Sequence, residues 1–320
     1  MLHLRDGAGC LPNISGAFPI HQRRRRSQRV LLIMGKSTLH TIMMPVREDG
    51  RGPILFAHAA ALAKRYDAHV RVVHCHPKAE DMMPYGVVIP AFLRKQLEEA
   101  SQKRADYEQG YMRDKFLDDA KRHGISVEPR AVGKATAAFR EYEGKQVEVV
   151  RHYGRLADLI CVAKPSQDEN LGYNTLKSAL FTSGRPVLVC PNTEQVAPDI
   201  GSHVAIGWNG SLEASRAVVM AMPLLEGADQ VTILTAGRIE HTATPEEFRH
   251  YLAQRGVTSQ IHAFERAGNV GRTLLEKCTE VGANMLIMGA YHESYERESL
   301  LGGNSATIVA EAKIPVVMVH

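Results

Sequence analysis

The chain has 320 residues, 44% of them hydrophobic and 23% charged, ordinary proportions for a globular protein with room for two cores. No uninterrupted apolar run approaches the ~18 residues of a membrane span, which excludes a membrane helix. The formal net charge is +4, but residues 1–33 alone carry +5, with arginines at 23 through 26, and the rest stands at −1. A nearly neutral body does not point to nucleic acid.

In chain order, segment 1–38 reads as a disordered or misassigned leader. It lacks apolar periodicity, and Met34-Gly35-Lys36-Ser37 is an alternative start just before the first strand. A targeting segment and a phosphate-contacting arm are the other readings of its arginines. A short apolar strand then spans Thr41 to Val46, followed by a charged, glycine-containing turn and an Ala-rich helix from Pro53 to Tyr66. Ala68 to His74 alternates as a second strand. Leu93, Leu97, Ala100, Met112, Phe116 and Ala120 predict a long helix from about Ile89 to His123, stopped by Gly124. Ile125 to Ala131 is expected as the third strand, Gly144 to Gly154 as a helix, Asp158 to Ala163 as the fourth strand and Pro186 to Cys190 as the fifth.

The same succession then recurs. Strands are expected at His203–Trp208, Gln230–Thr235, Thr258–Phe264, Asn284–Gly289 and Pro315–Val319. Helices fall between them at Leu212–Leu225, Pro245–Arg255, Val270–Val281 and near Asn304–Ala312. A repeat of this length is a duplicated domain rather than a solenoid unit. The expected domains are 39–195 and 200–320, each α/β, with unbroken apolar strands such as Met285–Met288 that suit a parallel sheet covered on both faces. Two doubly wound, Rossmann-like sheets in tandem follow. The apolar last strands, Val187–Val189 and Val316–Val319, would pair across the halves as an internal pseudo-dimer, because neither edge can stay bare. A homo-oligomer of the whole chain is also open, and no nucleic-acid or membrane partner is expected.

Such sheets bind ligands beyond the carboxyl ends of the strands where the strand order reverses. In the second repeat those ends deliver Gly207-Trp208-Asn209-Gly210-Ser211 and Gly289-Ala290-Tyr291-His292. Gly289, Gly302 and Ser305 frame a loop that opens a helix, where backbone N–H groups and the helix N-terminus suit a phosphate. Its sequence carries Glu293, Glu296 and Glu298 against Arg297, an acidic surplus facing any polyanion. The first repeat lacks both the Asn-Gly-Ser turn and the glycines, and is expected to be a structural partner.

Val204 to Ser215, Met288-Gly289 through Gly302-Gly303-Asn304-Ser305, and Ile314 to Val319 together resemble the universal stress protein family in its tandem, two-domain form. The resemblance implies adenine-nucleotide alpha-hydrolase-like domains, a stress-response regulatory or protective role, and a site able to take ATP or another adenine nucleotide weakly, with no cofactor required. It places Gly207 and Asn209 near the adenine, and Gly289, His292, Gly302, Gly303, Asn304 and Ser305 around the phosphates. His292 replaces the family's middle glycine, Gly303 its Ser/Thr, and Asn209 its frequent aspartate. An ATP-hydrolysing or adenylyl-transferring enzyme and a nucleotide-free interaction scaffold are the alternatives; no catalytic motif is present. His74 and His76 share one strand face, but no third metal ligand lies near them in sequence. Five cysteines without a CxxC pair fit a reducing cytoplasm.

Overall fold

A computed structural model describes residues 38–76, 90–166, 171–238, 242–266, 268–290 and 303–320. The leader, with its arginine run, lies outside these residues. The first repeat runs β1 (Thr41–Val46), α1 (Gly52–Tyr66), β2 (His69–His76), α2 (Ala91–Arg122), β3 (Ser126–Val127) and β4 (Thr136–Glu143). It continues through α3 (Gln146–Gly154), β5 (Leu159–Ala163), α4 (Tyr173–Thr182) and β6 (Val187–Cys190). The second comprises β7 (His203–Gly207), α5 (Leu212–Met220), α6 (Met222–Glu226), β8 (Gln230–Ala236) and α7 (Pro245–Ala253). Then follow β9 (Ser259–Phe264), α8 (Val270–Glu280), β10 (Met285–Gly289), α9 (Gly303–Glu311) and β11 (Val316–Val319).

The eleven strands of the described residues form one sheet in the order β3-β4-β2-β1-β5-β6-β11-β10-β7-β8-β9. Every pair is parallel except the seam between the repeats, where β11 runs antiparallel to β6 with Val316 opposite Val189 and Met318 opposite Val187. The expected pairing of the two last strands is thus present, and it turns the strand ends of the two repeats in opposite directions. Ile42, Val70, Ile206 and Ile287 face one core, under α1, α2, α5 and α7. Met43, Ile160, Ala205 and Leu286 face the other, under α3, α4, α8 and α9. Cover on both faces is why these strands read as apolar runs without alternation.

The repeats agree in detail. Asp158 Oδ2 accepts from the backbone N–H groups of His40 at 2.8 Å and Thr41 at 2.9 Å, fixing the start of β1 beside β5. Asn284 does the same for β7, its Oδ1 accepting from Gly201 at 3.0 Å and His203 at 3.3 Å. Among the described residues, no helix is long and apolar enough to cross a membrane.

Three elements depart from expectation. The third strand of the first repeat is β4, not Ile125–Ala131, of which only Ser126 and Val127 pair, with β4. Thr136–Glu143 looks polar because it lies near the sheet edge, yet it pairs with all eight residues of β2. Tyr173–Thr182 is a helix between the fourth and fifth strands, where no element was expected; it starts behind Gly172, whose φ is +88°. The expected helix Leu212–Leu225 is two, divided at Ala221, because Pro223 has no N–H to continue the first.

Candidate functional site

β7 and β10 lie side by side with Gly207 opposite Met288. From β7 the chain moves outward to β8, and from β10 it moves the other way to β11. Their carboxyl ends therefore bound a crevice of the kind in which doubly wound sheets seat ligands. At its floor Gly207 is half-buried, and a Cβ there would come within 3.1 Å of Leu274 Cδ2.

Beyond the strand the chain turns tightly. Asn209, exposed, uses its Oδ1 to accept from the Ser211 N–H at 3.1 Å, and Ser211 Oγ accepts from the Ala214 N–H at 3.1 Å as the cap of α5. Gly210 sits at φ +72° with Thr242 packed against its α-carbon, and Thr242 Oγ1 donates to the Gly210 carbonyl at 2.8 Å. The sequence reading missed Thr242 and the start of α7, which come from the connection after β8 and lie far away along the chain. Trp208 turns away from the crevice into the core. It stacks on Phe248 at 4.0 Å between centroids and donates from Nε1 to the Ala243 carbonyl at 3.1 Å.

Gly289 ends β10 under the first turn of α5. A Cβ added there would lie 2.5 Å from the Ala214 nitrogen and 2.6 Å from the Glu213 carbonyl carbon. The space its missing side chain leaves is therefore taken by protein backbone, not open to a phosphate. Across the crevice α9 begins at Gly303, whose φ is +79°; no described residue comes within 4 Å of an added Cβ. A helix start of this kind suits an anion. Asn304 Oδ1 accepts from the Gly271 N–H at 3.1 Å, tying α9 to α8, and Asn269 Nδ2 donates to Thr307 Oγ1 at 2.9 Å. Ser305 is buried in the first turn. His292 and Gly302 lie outside the described residues. The structure thus brings Gly207, Asn209 and Gly289 to one pair of strand ends and places Gly303, Asn304 and Ser305 at the opening of the next helix.

The corresponding crevice of the first repeat, between β1 and β5, is lined in part by Arg51 and Gly172. Arg51, 8% exposed, donates from Nη1 to the Lys164 carbonyl at 3.0 Å. Behind it Gly172 approaches so closely that a Cβ would lie 3.2 Å from Pro165 Cα and 3.6 Å from the guanidinium. Lys164 reaches across the seam to donate to the Ala312 carbonyl at 3.3 Å, and burial lowers its pKa while Glu311 raises it.

Residues 220–320 match the family model described as the universal stress protein family. A search of curated proteins finds no match. Among solved structures, a universal stress protein from Archaeoglobus fulgidus DSM 4304 matches with a TM-score of 0.63 at 14% identity, over 88% of this chain and 96% of that one. A functionally unknown protein from Pseudomonas aeruginosa PAO1 matches with a TM-score of 0.51 at 12% identity, over 88% and 92%. A universal stress protein solved in complex with cAMP aligns with 48% of this chain and 98% of its own at 15% identity and a TM-score of 0.29. At these identities the likeness to solved structures is one of fold. The family match and the duplicated sheet agree: residues 220–320 match the universal stress protein family, and the chain has the fold of a solved member along both of its repeats.

Proposed function

We propose that the chain is a stress-response regulatory or protective module whose second repeat takes an adenine nucleotide weakly and without turnover. The observation that carries this reading is the start of α9 at Gly303, with no described residue within 4 Å of an added Cβ, beside the crevice between β7 and β10. Backbone N–H groups of the first turn of α9 would receive phosphate oxygens, aided by the positive end of the helix. The ends of β7 and the Asn209 turn would hold the base and sugar, with the Asn209 amide N–H₂ available because its oxygen already holds the turn. Binding is weak in this reading because Gly289 is packed against α5, and because His292 and three glutamates stand in the sequence between Gly289 and Gly302. We place the protein in the cytoplasm, in keeping with free thiols at Cys75, Cys161, Cys190 and Cys278.

A second reading, a nucleotide-free interaction scaffold, is favoured by the packing of Gly289 against the backbone of α5. Titration calorimetry of the full chain with ATP separates the two. The nucleotide reading expects weak binding that tightens about tenfold, ~1.4 kcal/mol, in a His292→Gly, Glu293→Ser variant and is lost in Gly302→Val. No binding to either wild type or the tightened variant makes the scaffold reading the correct one.

A further inference from the structure

α2 is 32 residues long, whereas α7, which follows the second strand of the other repeat in the same way, has 9. Gly124 and Gly256 close the two helices alike, their N–H groups bonding to Lys121 and Ala253, so the extra length lies at the start of α2. Met112, Phe116 and Ala120 are buried and hold the last third of the helix on the sheet. Ahead of them the helix leaves it: every described side chain from Phe92 to Arg104 is exposed. A helical segment without a buried face is marginal in water, so a stretch of this length calls for a partner along it.

The stretch carries a pattern that such a partner would meet. Leu93, Leu97, Ala100, Arg104, Tyr107 and Tyr111 succeed one another at intervals of four and three, the spacing of a coiled-coil seam. Leu93 and Leu97 are 40% and 44% exposed, Tyr107 and Tyr111 73% and 40%. Turned end for end about Gln102, the seam is its own complement. Leu93 then meets Tyr111 of a second copy, Leu97 meets Tyr107, and Ala100 leaves room for Arg104, all three pairs sharing one two-fold axis. A parallel pair would instead stack Arg104 on Arg104.

Charge favours the same arrangement. Arg94 comes beside Glu108 of the second copy, the carboxylate that Arg104 of that copy already holds at 2.7 Å. α2 starts behind Pro90 with no side-chain cap, and the exposed Asp114 of the second copy would stand at that positive end. Lys103 facing Lys103 is a like-charged pair, placed at the exposed rim of the seam.

We infer that the chain forms a two-fold homodimer through the projecting half of α2, packed antiparallel on the same segment of a second copy. One pair of helices touching over about 37 Å is a small interface, so the dimer is expected to dissociate on dilution.

Sedimentation velocity of the full chain, from micromolar to millimolar concentration, tests this. Wild type is expected to pass from monomer to dimer across that range. Leu97→Glu combined with Tyr107→Glu sets carboxylates against each other in the seam and is expected to weaken the dimer roughly a hundredfold or more. Both positions are exposed in the monomer, so the circular dichroism spectrum at low concentration should be that of wild type. Lys103→Gln removes the like-charged pair and is expected to tighten the dimer about threefold, whereas Lys95→Glu, off the seam, should leave it unchanged. A wild type that stays monomeric at millimolar concentration overturns the assignment, including the case in which residues 77–89 cover the seam. A dimer that survives the double substitution overturns it too, because its interface then lies elsewhere.

Discussion

At Gly289 a hydrogen in place of a side chain lets the first turn of α5 lie directly on the end of β10. The same glycine, read in sequence with Gly302 and Gly303, suggested a phosphate loop. Spacing shows that a glycine is needed at a strand end but not which neighbour approaches it, since that neighbour, Glu213-Ala214, comes from another part of the chain. Gly289→Ala is therefore expected to destabilise the protein by ~1–3 kcal/mol, the usual range for overpacking against atoms that cannot yield. A thermal midpoint equal to that of wild type would show that α5 can retreat. Gly303 has a positive φ and no described neighbour within 4 Å of an added Cβ, so Gly303→Ala meets backbone strain and should cost about 1 kcal/mol. Asn209 was legible as a strand-end residue. Its use of Oδ1 to hold its own turn was not, although the Asn-Gly-Ser sequence is the signal from which an Asx turn can be read.

Elements were legible where burial was two-sided and obscure where it was not. β10 and β11, covered on both faces, are continuous apolar runs and were read almost to the residue. β4 ends in Arg140-Glu141-Tyr142-Glu143 and only Thr136 and Ala137 are fully buried, so its membership depends on the register offered by β2, which a local pattern does not contain. The seam was legible because Val316–Val319 and Val187–Cys190 would leave apolar edges exposed if each repeat stood alone. Residues 38–195 and 200–320 expressed separately are accordingly expected to self-associate or precipitate. Two stable monomers by sedimentation would contradict this. In the full chain Leu188→Lys, placed opposite Val317 in the seam, should prevent folding or lower the melting temperature sharply, because it buries an unpaired ammonium group. A milder probe is the cap of α5: Ser211→Ala removes the acceptor for the Ala214 N–H and should cost about 1 kcal/mol.

Across the whole molecule, buried imidazoles make stability depend on pH. Burial is the largest influence on His58, His69, His74, His123 and His203 and lowers the pKa of each. For His74 the neighbouring His76 adds to the lowering and Glu108 opposes it. Near pH 6.5, the ordinary value, the unfolded chain takes up protons that the folded chain refuses. The stabilisation is therefore complete above about pH 6.5 and is lost as the pH falls through that value toward the lowered folded pKa values. Four of these histidines lie in the first repeat and one in the second, so the first repeat should loosen first on acidification. Hydrogen exchange between pH 7 and 5 checks this, with faster exchange in β1 and β2 than in β7 and β8 as the expected result. The antiparallel seam has a further consequence. A dimer of identical chains changes both of its halves with every mutation, whereas two halves on one chain can drift apart while their contact is maintained at a high effective concentration. Such a chain can keep Trp208 in one half and a valine in the other, and set Arg51 at one crevice and Gly303 beside the other. With strand ends directed oppositely, the two crevices open at opposite ends of the strands, so each half can change what lies at its own strand ends without disturbing the other's.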